Sequence, residues 1–419
     1  MPQDHTTDVL IVGGGPAGST AATTLARAGR RVLVLEKEKF PRFHVGESLL
    51  PYNRRIFDEL GVWPKLASAG FMKKRGAQFL MGNGSRGVRI DFGKGSFNEY
   101  GEAIQVERSK FDHLLLDHAR ESGADVREEC RVVGYEVGAD DVVARYRDGG
   151  GSDREVRAKF LVDASGLSNF TANSEALREY YSGHKKVAIF GHFAGLDMPR
   201  GDEEGDILII RRENSWFWMI PLEDNKTSVG LVMDRADFQK LGKDAEKIFR
   251  DAVRGTPAAR GRFTRAEPLN ALNAVMDFSY RNGRLVDPRI VRIGDASGFI
   301  DPVFSSGVML AMTGARHGAE AVDGALARGA AMTPGMRAYE KENRRRISQY
   351  WEFIENFYQI PFAQVFFQPD NRLKMVCAIN AVLAGRTELP FAAWWRLRAF
   401  FLLVRLNRHW PLVRRIPVS

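Results

Sequence analysis

The sequence predicts an α/β protein: a Rossmann-type nucleotide-binding domain, an antiparallel β-sheet insert that would carry substrate, and a C-terminal helical region. Three observations carry that prediction. The first is a strand–glycine turn–helix–strand unit, DVLIVGGGPAGSTAATTLARAGRRVLVLEKEKF, over residues 8–40. The second is alternation in KVAIFGHFAG (186–195) and KTSVGLVMD (226–234), which reads as antiparallel strands. The third is a helical, aromatic run from about residue 331, including MRAYEKENRRRISQYWEFIENFYQIPFAQVFF and the later FAAWWRLRAFFLLVRLNRHW.

Within the first unit, Asp8–Val12 reads as a strand, Ala17–Ala28 as a helix and Arg31–Glu36 as a second strand. Gly13 permits the tight turn, Gly15 lets the backbone approach a pyrophosphate, and Gly18 lets helix pack on strand. Pro16 and Ala17 open the helix, whose free N–H groups and positive dipole end would face a diphosphate. Glu36 ends the second strand 23 residues after Gly13, where an acid accepts the ribose hydroxyls, with Lys37 beside it. Together these residues predict dinucleotide binding.

The chain has 419 residues, beyond the usual reach of one core, so two units and an appendage are expected. No stretch of about 18 uncharged apolar residues appears, so no transmembrane segment is expected. The N-terminus lacks a basic region before an apolar stretch, so it does not read as a signal peptide. Cys130 and Cys377 show no metal spacing, which points to ordinary thiols, a cytoplasmic location and no metal site. The net charge of +9 concentrates in the tail, where arginines 396, 398, 405, 408, 414 and 415 stand without an acid. That segment is apolar-rich and no recognition motif accompanies it, so nucleic acid is not the expected partner. A helix that docks its apolar face and solvates its arginines explains it, and an acidic partner or anionic substrate is the alternative.

FAD is distinguished from NAD further along. FLVDASG (160–166) and IVRIGDASG (290–298) are strands running into small-residue turns. They resemble the later fingerprints of FAD-dependent proteins of the aromatic-hydroxylase type. That resemblance puts Asp295 on the ribityl chain and, through QVERSKFDHLLLDHA (105–119), Arg108 near the flavin. The cofactor motifs spread the FAD-binding domain over 1–82, 102–178 and 284–330. Residues 83–101 are expected to add substrate-domain strands, 179–283 to form the substrate sheet, and 331–419 the helical region.

Four stretches together resemble the flavin-dependent halogenases, in the branch that acts on pyrroles and phenols. FPRFHVGESLLP (40–51) is similar to the family segment after the adenosine-binding acid, which implies that Arg42 contacts the cofactor and that Ser48 lies near the flavin. GFMKKRGAQF (70–79) matches F-x-x-K-x-G with Phe71, Lys74 and Gly76, and Lys73 is the register alternative. GFIDPVFSSGVMLAMTGA (298–315) resembles the F-x-x-P…S-x-G segment, with Pro302 and Gly307 beside the flavin and Ser305, Ser306 and Gly307 near halide. NSWFWMIP (214–221) resembles G-W-x-W-x-I-P, with Trp216 and Trp218 on one face and Ser215 in place of the leading glycine.

The resemblance implies an FADH2-dependent enzyme. Reduced flavin and O2 supply a peroxidic oxidant, halide (chloride or bromide) attacks it, and hypohalous acid results. Lys74 would orient that species or trap it as a haloamine, which calls for a desolvated amine. Trp216 and Trp218 would keep substrate from the flavin. The substrate would be an electron-rich aromatic, free or on an acyl or peptidyl carrier protein, in antibiotic biosynthesis. The single dinucleotide fingerprint does not discriminate between readings, but a halogenase would take FADH2 from a separate flavin reductase. An aromatic monooxygenase, a geranylgeranyl-reductase-like flavin reductase and a non-catalytic flavin-binding partner are the alternatives. His192, in FGHF, reads as either a pocket residue or a structural histidine.

Overall fold

The carboxyl ends of two parallel strands, His5–Val12 and Val32–Leu35, set the geometry on which the cofactor end depends. A computed structural model describes residues 5–369 and 373–416. The two strands pair in parallel with each other, and His5–Val12 pairs in parallel with Asp153–Asp163. Ile290–Arg292 and Asp125–Arg127 extend this nucleotide sheet, also in parallel. Such strands are covered on both faces, and the VLIV and VLVL runs are accordingly apolar throughout. The helix Pro16–Arg27 returns across the sheet and buries Ala21, Ala22 and Leu25.

The insert sheet runs Glu267–Pro268, Lys186–Ala194, Lys226–Asp234, Ser215–Pro221, Ile207–Arg211, Gly76–Met81, Gly87–Asp91. All of its pairings are antiparallel except that of Ile207–Arg211 with Gly76–Met81. Residues 76–81, grouped from sequence with the nucleotide-binding segment, therefore belong to the insert sheet. Met72–Lys74 likewise pairs with Ala103–Gln105 rather than with the nucleotide sheet. Gly70, at φ +79°, marks the end of the preceding helix but carries no sign of which sheet the following strands join.

Alternation divides the insert sheet into two faces. Ile189, Leu208, Phe217 and Leu231 pack outward against Ile248 and Phe249 of the helix Ala245–Arg254. Phe79, Ile207, Ile209, Trp216 and Trp218 face inward, into a core shared with the C-terminal helices. The helix Pro334–Phe357 supplies Phe353 and Phe357 to that core, and Ile360–Phe366 supplies Phe362 and Phe366. The helix Phe391–Leu406 buries Leu397, Phe400, Phe401 and Val404 and leaves Arg398 and Arg405 exposed, the docked arrangement expected of the basic tail. Among the described residues, no helix is long and apolar enough to cross a membrane.

Candidate active site

A cavity of about 510 Å³ runs from the glycine turn to the tryptophan strand Ser215–Pro221. At one end, Gly13 has φ +104°, and a Cβ there would lie 2.5 Å from the Ala164 carbonyl oxygen. A Cβ on Gly18 would lie 1.9 Å from the Gly13 oxygen, so Gly18 serves packing and does not itself line the cavity. Gly15, Pro16 and Ala17 line it, and the helix they open has no side-chain cap and no acid in its first turn. Those free N–H groups fit a diphosphate. Glu36 is fixed at the next strand end: its Oε2 accepts from Gly14 N at 2.7 Å and its Oε1 from Glu38 N at 2.9 Å. Lys37 lines the cavity beside it.

Further in, Arg42 and Arg108 share one buried carboxylate. Arg108 Nε and Nη2 donate to Asp112 at 2.7 and 2.9 Å, and Arg42 Nη1 donates to the same group at 3.1 Å. Both arginines line the cavity opposite Asp295. Loss of water raises the Asp295 carboxyl to about 6, against the pull of Arg108. Burial, reinforced by Arg108, lowers neighbouring His44 to about 4, so it is neutral at pH 7.

Lys74 is 1% exposed, whereas Lys73 is exposed, which selects Lys74 as the buried lysine. Its Nζ donates to Ser48 Oγ and to the Leu49 carbonyl, both at 2.8 Å. Burial lowers its pKa to about 7, with Asp206 opposing. Lys74 does not itself line the cavity, contrary to a direct reading of the motif; Ser48, which holds it, does. Gly76 explains how Asp206 comes close, since a Cβ there would meet the Ile90 oxygen at 2.6 Å and both Asp206 oxygens at 3.1 Å.

Trp216 and Trp218 both front the cavity, with ring centroids 6.0 Å apart, while Phe217 points to the other face. Trp216 Nε1 donates to Tyr358 Oη at 2.8 Å and Trp218 Nε1 to Ser228 Oγ at 3.2 Å. Gly230 stands opposite Trp218, and a Cβ there would come within 2.2 Å of the indole. Ser215 occupies an ordinary strand position, with Arg212 Nη1 donating to its Oγ at 2.9 Å, so no glycine conformation is needed there.

Across from the tryptophans, Pro302–Phe304 forms a short turn and Ser305 adopts φ +56°. Ser306 then caps the helix Gly307–Ala327 without a side-chain hydrogen bond. Pro302, Ser305 and Gly307 line the cavity. Ser306 does not, but its buried Oγ has no partner among the described residues. An uncapped helix start with an orphaned hydroxyl fits a small anion.

The chain matches the FAD binding domain family over residues 6–353. It is 32% identical over 394 residues to the 1H-pyrrole-2-carbonyl-[peptidyl-carrier protein] chlorinase of Pseudomonas fluorescens, covering 89% of this chain and 88% of that one. Its fold matches the myxobacterial chondrochloren halogenase at TM-score 0.80 and 31% identity, over 96% of each chain. It also matches a flavoprotein/dehydrogenase from Cytophaga hutchinsonii at TM-score 0.88 and 28% identity, over 97% of this chain and all of that one.

The chain belongs to the flavin-dependent halogenase family. Its cofactor is FAD and its halide is chloride or bromide. This halogenase also has site residues that the motifs do not reveal. Asp112 is one, although its i,i+4 spacing from Arg108 is a usable signal. A second group is a buried relay in which Asp301 Oδ2 accepts from Tyr358 Oη at 2.6 Å and pairs with His184 Nε2 at 3.1 Å. Since Tyr358 also takes the Trp216 N–H, the relay ties the tryptophan wall to the turn before the candidate halide site. A third is Glu47, which pairs with His192 at 2.8 Å and joins the loop before Ser48 to the insert sheet. These partners lie 57 to 145 residues apart, beyond any local pattern.

Proposed function

We propose that this halogenase acts on an electron-rich aromatic ring, a pyrrole or phenol, free or held on an acyl or peptidyl carrier protein. Similarity to a chlorinase of a carrier-bound pyrrole supports that substrate class. When bound, reduced FAD would supply the two electrons that activate O2, so that one oxygen would pass to halide as hypohalous acid and the other would leave as water. A separate flavin reductase would supply FADH2.

The amides of Gly15, Pro16's turn and Ala17 would hold the diphosphate, with Gly13 and Gly18 shaping the turn. Glu36 would hold the adenosine ribose, with Lys37 beside it. Arg42, Ser48, Arg108, Asp295, Pro302 and Gly307 would flank the flavin end, and Ser305, Ser306 and Gly307 would hold halide.

The observation that carries the reading is the buried Lys74–Ser48 hydrogen bond beside a tryptophan-walled cavity. Because Ser48 Oγ accepts from Lys74 Nζ, its own O–H is free to donate into the cavity. With a pKa lowered to about 7, the Lys74 amine can hold or release its own proton, changing what it offers Ser48. Trp216 and Trp218 would exclude the arene from the reacting oxygen, so that halide carries it onward. Phe190, Val275 and Phe278 add apolar lining to the same cavity, which favours direct hydroxylation as the second reading. Supplying FADH2, O2 and chloride or bromide with a pyrrole or phenol tests the two. A halogenated product, lost in Lys74→Ala without loss of FAD, is expected; halide-independent hydroxylation or full activity of the variant would contradict it.

A further inference from the structure

Ile207, Ile209 and Arg211 occupy successive inward positions of one strand, and Arg211 stands opposite Trp216. A charged residue thus ends an apolar row. It is only 2% exposed. Its Nε donates to the Phe357 carbonyl at 3.2 Å, at the last turn of Pro334–Phe357, and its guanidinium carbon lies 5.9 Å from the Phe357 ring. Nη1 and Nη2 have no hydrogen-bond partner, and no carboxylate pairs with the group among the described residues. Capping a helix end accounts for one of its five donors and leaves the fork empty. Burial lowers its pKa only to about 10, so it remains a cation at neutral pH. A buried cation with unmet donors is among the least favourable arrangements in a protein interior.

We propose that Arg211 is an anion-binding site outside the flavin cavity, and that its ligand is a halide ion held between Nη1 and Nη2. The surroundings select a small, weakly hydrated anion. Trp216 and Phe357 meet edge to face at 6.4 Å and 85°, and aromatic edges carry the positive end of the ring quadrupole. A monoatomic ion needs the least displacement of such packing. The site requires only a buried guanidinium; the choice of halide rests on the halogenase reading, which makes halide the anion present at work. Bound there, the ion would neutralise the guanidinium behind Trp216. It would thereby tighten the corner where the tryptophan strand, Tyr358 and the C-terminal helices meet.

Crystals of the holoenzyme grown or soaked in sodium bromide, measured at the bromine absorption edge, test this. An anomalous peak bridging Nη1 and Nη2 is expected, and it should vanish in Arg211→Met while any peak at Ser305–Gly307 persists. Arg211→Lys, which keeps a cation but loses the fork, should weaken the peak and covers the case in which the methionine variant does not fold. Density at wild-type Nη1 and Nη2 without anomalous signal, meaning water only, overturns the proposal. A bromide peak at Arg211 in an enzyme that fails to halogenate would leave this site standing and remove the functional reading instead.

Discussion

Full burial of Lys74 is what brings its titration near neutrality. Burial favours the neutral amine, so its pKa falls from 10.5 to about 7 in the folded protein. Below about pH 7 both folded and unfolded chains carry the proton, and the burial penalty is fully present. Between about 7 and 10.5 the unfolded chain binds more protons, so stability should rise with pH across that window. Lys74→Met should flatten this rise, read by urea denaturation at stepped pH. If the ammonium is the working form, halogenation should also decline above about pH 7, read from the rate profile with FAD saturating. Lys74 itself was legible from F-x-x-K-x-G. Its dependence on Ser48 was not, because the contact joins residues 26 apart through a loop and a separate strand.

At the level of elements, the tryptophan strand was legible and its supports were not. Alternation alone put Trp216 and Trp218 on one face, and Ser215 proved an ordinary strand residue. Gly230, which makes room for the Trp218 indole, carries no signal in its own segment KTSVGLVMD. Gly230→Ala should displace that ring, changing near-UV circular dichroism and lowering the yield of halogenated product several-fold while FAD binding is kept. Unchanged spectra would show that the indole has room to spare. Tyr358→Phe removes the acceptor for Trp216 Nε1 and the donor to Asp301. Leaving the buried Trp216 N–H without its acceptor, with Asp301 keeping His184 and the Val303 amide, should cost about 1–3 kcal/mol, measured by chemical denaturation. By contrast, the spacing of Gly13 and Gly18 was legible, because Gly18 packs on Gly13 five residues away, although the Ala164 carbonyl that crowds Gly13 comes from the end of a distant strand.

In the whole molecule, the glycine turn and its acid form a local motif on the parallel strands of the nucleotide sheet, whereas the supports of the tryptophan wall come from contacts across more than a hundred residues. That is why the glycine turn and Glu36 stood out in the sequence, while residues 76–81 were grouped with the nucleotide-binding segment although they pair in the insert sheet, and the aromatic core behind Trp216 was visible only as a helical tail. This core binds the two halves together. Phe357, 1% exposed and 6.4 Å from Trp216, should cost about 3–5 kcal/mol when replaced by alanine, read as a shift in denaturation midpoint with FAD bound. The central claim is that halide, and not the arene, receives oxygen in the flavin cavity. Mass analysis of the product formed under 18O2 with FADH2 and bromide tests it most directly. The account predicts a brominated ring with no 18O and little product when bromide is withheld. An 18O-labelled hydroxyl on the ring, formed equally well without bromide, would contradict it.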